Sequence, residues 1–173
     1  MRTSGILLPI SSLPSPGGIG TMGAAAREFV DFLHAAGQHY WQILPVCPTS
    51  YGDSPYQSFS TFAGNPYFID LDQLAEAGLL TPEEYRDIDW ESTPDCINYG
   101  VLYEKRYPVL RRACARLLAN PPEDYEQFLA DNAFWLPDYA LFMALKRHFG
   151  MKSWTEWDDE DIRCRTSSEV IER

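Results

Sequence analysis

The chain has 173 residues, with 14 Lys and Arg against 25 Asp and Glu, a formal net charge of −11. A surface of that sign repels nucleic acid and anionic lipid, so neither is expected as a partner. With 45% apolar and 14% aromatic residues the sequence carries ample core-forming material and falls outside the disordered class. Its length suits one domain, yet is well short of the roughly 250 residues that a complete (β/α)8 barrel needs.

In chain order, GILLPI at residues 5–10 reads as a short strand, too brief and too broken by Pro9 to serve as a secretory leader. The next ten residues, SSLPSPGGIG, form a loop that no regular element accommodates. From Met22, the positions Met22, Ala25, Ala26, Phe29, Val30, Leu33 and Ala36 repeat at helical spacing, and Gly37 is placed to cap the end. YWQILPV at 40–46 then reads as a buried parallel strand, which makes the first fifty residues a βαβ unit. In such a unit the loops that follow the strands gather on one rim, and ligand contacts gather with them.

Beyond residue 70 the chain becomes helical and strongly charged. Thr81-Pro82-Glu83-Glu84 spells a capping box that starts a helix. Residues 99–118 repeat at helical spacing with Pro108 as an interruption, and 121–132 and 137–149 read as two more helices, the last closed by Gly150. The four cysteines, Cys47, Cys96, Cys114 and Cys164, make no C-x-x-C pair, and they are expected to be reduced and mostly buried in a cytoplasmic protein.

Residues 50–64, SYGDSPYQSFSTFAG, follow the second strand and mix rings with short polar groups. A sugar offers apolar C–H faces and hydroxyl edges, and Tyr51, Tyr56 and Phe59 beside Asp53, Ser54, Gln57 and Ser58 supply a partner for each. The same composition also suits a rim loop whose Asp-Ser-Pro forms a turn and whose rings cap the core, and composition leaves both readings open.

Three ordered blocks, GILLPISSLPSPGGIG, FVDFLHAAGQHYWQILPVCPT and YGDSPYQSFSTFAGNPYFIDL, closely resemble the opening of the 4-α-glucanotransferase (amylomaltase) family of the α-amylase superfamily. INYGVLYEKRYPVLRRA and FWLPDYALFMALKRHFGMKSWTEW extend the resemblance over nearly the whole chain. The chain departs from the family's usual pattern with GIGTMG, Cys47 and Ser50, none of which removes an expected sugar contact. The resemblance implies an α/β fold, the N-terminal portion of a (β/α)8 TIM barrel with a mainly helical inserted subdomain. On that reading residues 1–71 belong to the barrel, 72–150 to the insertion and 151–173 to the start of the return.

It further implies cleavage of an α-1,4-glucan and transfer of the released segment to the 4-hydroxyl of another glucose or glucan, with retention. Retention requires a nucleophilic carboxylate and an acid/base carboxyl roughly 5–5.5 Å apart, and in the family these lie on later strands. No catalytic residue is therefore expected in this chain, which is expected to be inactive alone. The residues carried over are binding residues: Ser54, Tyr56 and Gln57 beside the donor and acceptor subsites, Asp53 there or bracing the turn, and Tyr51 and Tyr99 resembling tyrosines of a secondary glucan groove. The implied partners are α-1,4-glucans and maltooligosaccharides, and no cofactor or metal is implied. A hydrolase of the same superfamily and a non-catalytic glucan-binding module are the competing readings.

The remaining candidates read as structural. His34, His39 and His148 lack metal or triad spacing. Arg111, Arg112 and Arg116 suit a solvent face with ion pairs, and the acidic run at 157–162 suits a solvated helix start. Trp41, Trp90, Trp135, Trp154 and Trp157 are assigned to packing by default.

Overall fold

A computed structural model of the chain describes residues 2–160 and residue 162. Cys164 and the rest of the expected return segment, 163–173, lie outside the described residues, as does Asp161. The chain forms two compact units, one ending at Pro121 and one starting at Pro122.

The first unit opens with the expected crossover. Strand β1 (Gly5–Leu7) pairs in parallel with β2 (Tyr40–Gln42), in the register Gly5↔Tyr40, Ile6↔Trp41 and Leu7↔Gln42. Both strands are shorter than the apolar runs 5–10 and 40–46 suggest. Pairing ends one bond further, at Leu8 N–H to Gln42 C=O (3.0 Å); the Leu8 carbonyl, next in the ladder, takes the Trp41 indole N–H, and Ile10 enters a 3-10 turn.

Between the strands lies α1 (Ala24–Ala35). It starts at Ala24 rather than Met22 because Gly23 (φ −94°, ψ −147°) lies outside the helical region; the Met22 N–H bonds the Phe68 carbonyl (3.0 Å). Gly23 then passes against Asp70 so closely that a Cβ there would lie 2.1 Å from the carboxylate. The helix stops as expected at Gly37, φ +67°. Gly37 N–H bonds the His34 carbonyl (3.0 Å) and Gln38 N–H the Leu33 carbonyl (2.9 Å), a Schellman closure. Phe29 meets Trp41 edge-on at 4.9 Å and Leu33 is buried, while Val30, Phe32 and Met22 stay exposed along with Leu7 and Tyr40 of the sheet. Trp41, expected in the core, is half-buried and donates its indole N–H to the Leu8 carbonyl (2.8 Å).

The main core lies on the other side of the unit. Ile19, Tyr67 and Leu71 join Leu80, Tyr85, Trp90, Leu102, Val109 and Ala113, so residues before and after position 71 pack into one cluster. α2 (Leu71–Glu76) is capped by Asp70, whose side chain accepts the Gln73 N–H. The capping box exists, with Thr81 N–H donating to Glu84 at 2.8 Å. It opens only a 3-10 turn, Pro82–Glu84, rather than a helix. Tyr85 leaves the helical region at φ −144°, burying its ring and giving its hydroxyl to Asp72.

A longer helical run begins with α3 (Tyr99–Val101), passes through a π-helical stretch at Leu102–Arg106 and continues as α4 (Tyr107–Ala119). Pro108 interrupts the pattern as expected: it lacks the N–H for a bond to residue 104, and the chain widens by one residue just before it. The widened turn sets Leu102 and Arg106 fully inward, both at 0% exposure. On the outer face Arg112 and Arg116 both pair with Glu84 (3.3 and 2.6 Å), the ion-paired solvent side read from the sequence.

In the second unit α5 (Tyr125–Asp131) starts later than expected, after the prolines at 121 and 122, and α6 (Leu136–His148) carries Pro137 in its first turn. Gly150, φ +64°, closes α6. Trp157 is buried and stacks on Phe149 at 5.1 Å, whereas Trp154 is exposed. The acidic run contributes a cap, with Asp159 accepting the Ile162 N–H (3.1 Å). The expectation of mostly buried thiols is corrected: Cys96 and Cys114 are exposed and Cys47 is half-buried, all three free. Cys96 lies in the exposed turn closed by a Thr93–Cys96 bridge, and Cys114 points away from Ala113, the residue that faces the core.

Two arginine hydrogen bonds and the Thr81 N–H hold the Glu84 carboxyl down at about 2, from an ordinary 4.5. A depressed carboxyl stabilises the fold above its unfolded pKa, and that contribution is lost as pH falls from about 4.5 toward 2. The melting-temperature gap between the whole protein and its Glu84→Gln variant is thus expected to be constant above about pH 4.5 and to close on acidification through that window. Parallel melting curves down to pH 2 would contradict it.

Candidate functional site

The loop after β2 is held by its own backbone. Its base closes where Asn65 N–H meets the Val46 carbonyl at 2.8 Å, and its neck closes in an antiparallel Thr49–Ser58 bridge. Inside the neck lie two consecutive turns. Asp53 N–H returns to the Ser50 carbonyl (3.0 Å) and Gln57 N–H to the Ser54 carbonyl (3.1 Å). Gly52 at φ +95° supplies the third position of the first turn, and Pro55 presets the second position of the next. Asp53 follows at φ +57°, a left-handed conformation that Asp and Asn tolerate better than other side chains. Ser58 and Ser60 complete the loop, Ser60 Oγ accepting the Phe62 and Ala63 N–H groups at 3.1 Å.

Around these bonds several side chains face out. Tyr51, at the tip of the first turn, is completely exposed, and Tyr56, in the second, is 73% exposed. Ser54 Oγ accepts the Tyr56 N–H (3.3 Å) and keeps its own proton free to donate. Gln57 is exposed.

Asp53 points the other way, toward a cluster of tyrosines. Partial burial raises its carboxyl above the usual range. Burial is also the chief reason that the Tyr67 and Tyr99 phenols titrate high, and the Asp53 charge pushes both further up. Tyr67 packs on Tyr99 (6.1 Å) and Tyr107 (5.7 Å), and Tyr107 on Tyr103 (5.4 Å). The structure therefore brings Asp53, Ser54, Tyr56 and Gln57 into one pair of turns with Tyr99 behind them, and sets Tyr51 apart at the tip.

Sequence reasoning missed Tyr67, Tyr103 and Tyr107. A signal was present: positions 99, 103 and 107 recur every fourth residue, which stacks three rings on one helix face. An open groove between Pro14–Pro16, α1 and α2 is a weaker candidate. Its Asp70 carboxylate already binds Thr21 and the Gln73 N–H, and its Asp72 carboxylate already binds Tyr85 and Arg86. Among the described residues, no group of three or more His, Cys, Asp or Glu is placed to hold a metal ion, and no helix is long and apolar enough to cross a membrane.

A family model described as 4-alpha-glucanotransferase matches residues 8–173. The chain is 51% identical over 161 residues to a 4-alpha-glucanotransferase of Clostridium butyricum, covering 93% of this chain and 33% of that protein. It is 48% identical over 160 residues to one of Thermus thermophilus, covering 90% and 31%. Among solved structures it superposes on an amylomaltase from Streptococcus agalactiae in complex with acarbose, with TM-score 0.91 and 44% identity over 99% of this chain and 35% of that one. The chain thus spans about a third of the length of the relatives it matches.

The left-handed Asp53 gives a direct check on the loop. Asp53→Asn is expected to leave whole-protein stability nearly unchanged, while Asp53→Ala costs about 1–2 kcal/mol in chemical denaturation, because alanine resists that backbone conformation. Equal stability of the two variants would mean that the turn is not held left-handed.

Proposed function

Because the chain belongs to the 4-alpha-glucanotransferase family, we propose that the protein containing it breaks an α-1,4 bond of a glucan and passes the released segment to the 4-hydroxyl of an acceptor. The acceptor is a glucose or a second glucan, and configuration is retained. Within that reaction this chain supplies glucan binding. The two carboxyl groups that retention requires, roughly 5–5.5 Å apart, belong to polypeptide beyond residues 1–173.

The observation that carries the reading is the loop itself: backbone closed, ring and polar side chains open. In a bound glucan the Tyr56 ring lies against the C–H face of one glucose, and Ser54 and Gln57 take its hydroxyls. Asp53 presents a carboxylate, an acceptor-only group, at the inner edge of the same turn. Tyr51 and Tyr99 serve a secondary glucan-binding groove away from the reaction centre. The amylomaltase neighbour, over a matching fold, is in complex with acarbose, which supports a carbohydrate ligand for the protein that contains this chain.

The parallel β1–β2 pair and its crossover helix support the opening of a (β/α)8 barrel within residues 1–71; 72–150 is proposed as its insertion, one whose first part shares a core with residues 19, 67 and 71. The exposure of Leu7 (55%) and Tyr40 (64%) is what two strands of a larger closed sheet show when their neighbours are absent. Free, exposed Cys96 and Cys114 support a reducing, cytoplasmic setting.

Incubation of the whole protein with maltotriose tests the activity. Longer maltooligosaccharides together with free glucose are expected, whereas products that are only shorter would identify a hydrolase and no turnover a binding module. Tyr56→Ala is expected to weaken maltotriose use about tenfold, the loss of one ring contact worth about 1.4 kcal/mol. Unchanged affinity and turnover in that variant would remove Tyr56 from the site.

A further inference from the structure

Arg106 lies outside the loop, and its two hydrogen bonds reach the loop after β1 and the segment that follows residue 64. It is fully buried. One guanidinium nitrogen donates to the Gly17 carbonyl (3.0 Å), in the loop that follows β1, and the other to the Ile69 carbonyl (2.7 Å), two residues beyond Tyr67. The guanidinium sits over the Trp90 ring, 5.7 Å from its centre. Its Nε–H has no partner. An apolar side chain fills such a space without desolvating a cation or stranding a donor, so packing alone does not explain an arginine here.

A second clamp works on the neighbouring residue. Ser92 Oγ donates to the Gly18 carbonyl (3.0 Å) and accepts the Asn98 N–H (3.4 Å). Asn98 in turn caps the helix that starts with Tyr99, its side chain accepting the Val101 N–H. Gly18 is fixed as well, since at φ +80° a Cβ would stand 2.6 Å from Trp90. The rim loop after β1 is therefore tied at Gly17 and Gly18 to both ends of the helical stretch 98–106. The same stretch is tied at Ile69 to the segment that carries Tyr67. Tyr99 lies inside that frame, against Tyr67 and within the field of Asp53.

We infer that Arg106 is a positioning residue for glucan recognition: by joining Gly17 and Ile69 to the π-helical turn it fixes Tyr99 and the tyrosine cluster relative to the Asp53–Gln57 turns. The inference rests on the reading that these turns and Tyr99 bind glucan. Arg106 touches no substrate and takes no part in bond breaking. Lysine keeps the charge but, with a single nitrogen, cannot span two carbonyls as the planar fork does.

The test uses the whole protein and maltotriose, with KM and kcat measured separately at a temperature where each variant is folded. Arg106→Met is expected to raise KM about tenfold with kcat within about threefold, and Arg106→Lys to raise it by a smaller factor, since displaced binding groups weaken recognition. Val109→Ala, a packing loss on the same helix run, is expected to lower the melting temperature and leave KM alone. Should Arg106→Met fail to fold, Arg106→Lys decides, and a wild-type KM in that variant overturns the inference. An equal rise in KM for Val109→Ala also overturns it, by reducing Arg106 to a stabilising role. Absence of transfer by the wild-type protein is a different result, one that removes the proposed function itself.

Discussion

A guanidinium buried to 0% exposure holds three distant parts of the first unit in one arrangement. Removing a cation from water costs several kcal/mol even after the surroundings relax, and here burial pulls the Arg106 pKa down to about 10. The group stays charged at neutral pH, and its surroundings offset the cost with two charge-assisted hydrogen bonds, the face of Trp90 and the negative charge of Asp70. Those offsets come from residues 17, 69, 70 and 90, and they act together only when every segment is in place. An apolar core tolerates small slips between segments. A forked cation between two carbonyls does not.

The same distinction separates the acidic groups that tie segments together from the one that does not. Asp70 caps a helix and binds Thr21, Asp72 binds Tyr85 and Arg86, and Glu84 binds two arginines and a backbone N–H. Each of these carboxylates is committed. Asp53 is surrounded by phenols and partial burial instead of cations, which is why its carboxyl rises while that of Glu84 falls. The Asp53 and Gln57 N–H groups are spent on the loop's own turns, so what the loop offers at its surface is chiefly side chains.

Much of this was legible in the sequence because it depends on local rules. The crossover helix and its Gly37 stop follow from apolar spacing and from the need for a left-handed residue at the end. The loop after β2 and its turn residues follow from Gly52, Asp53 and Pro55. What the sequence concealed depended on tertiary competition. Strand lengths were set by the Trp41 indole and the Ile10 turn taking over from the ladder, α1's start by the approach of Gly23 to Asp70, and the Thr81 turn by Tyr85 turning into the core. Arg106 was hidden among Arg111, Arg112 and Arg116, all of which read as solvent-facing. Only the π-helical turn ahead of Pro108 sends the first of the four inward, and a run of arginines at helical spacing does not say which member that will be.

The two faces of the first unit are unequal, and the inequality is informative. On the helical side Leu102, Val109 and Ala113 are at 0–3% exposure, a finished core. On the sheet side Leu7, Tyr40, Val30 and Phe32 are all more than half exposed, although the spacing of α1 predicts Val30 on a buried stripe. Spacing identifies which residues want burial, not what buries them. The relatives this chain matches are about three times as long, and the proposed barrel assigns the cover of such positions to neighbours of β1, β2 and α1. The finished side is the one that holds Tyr99 and the Arg106 clamp. Under the proposed function, the Tyr99 contact thus rests on packing already complete within these residues.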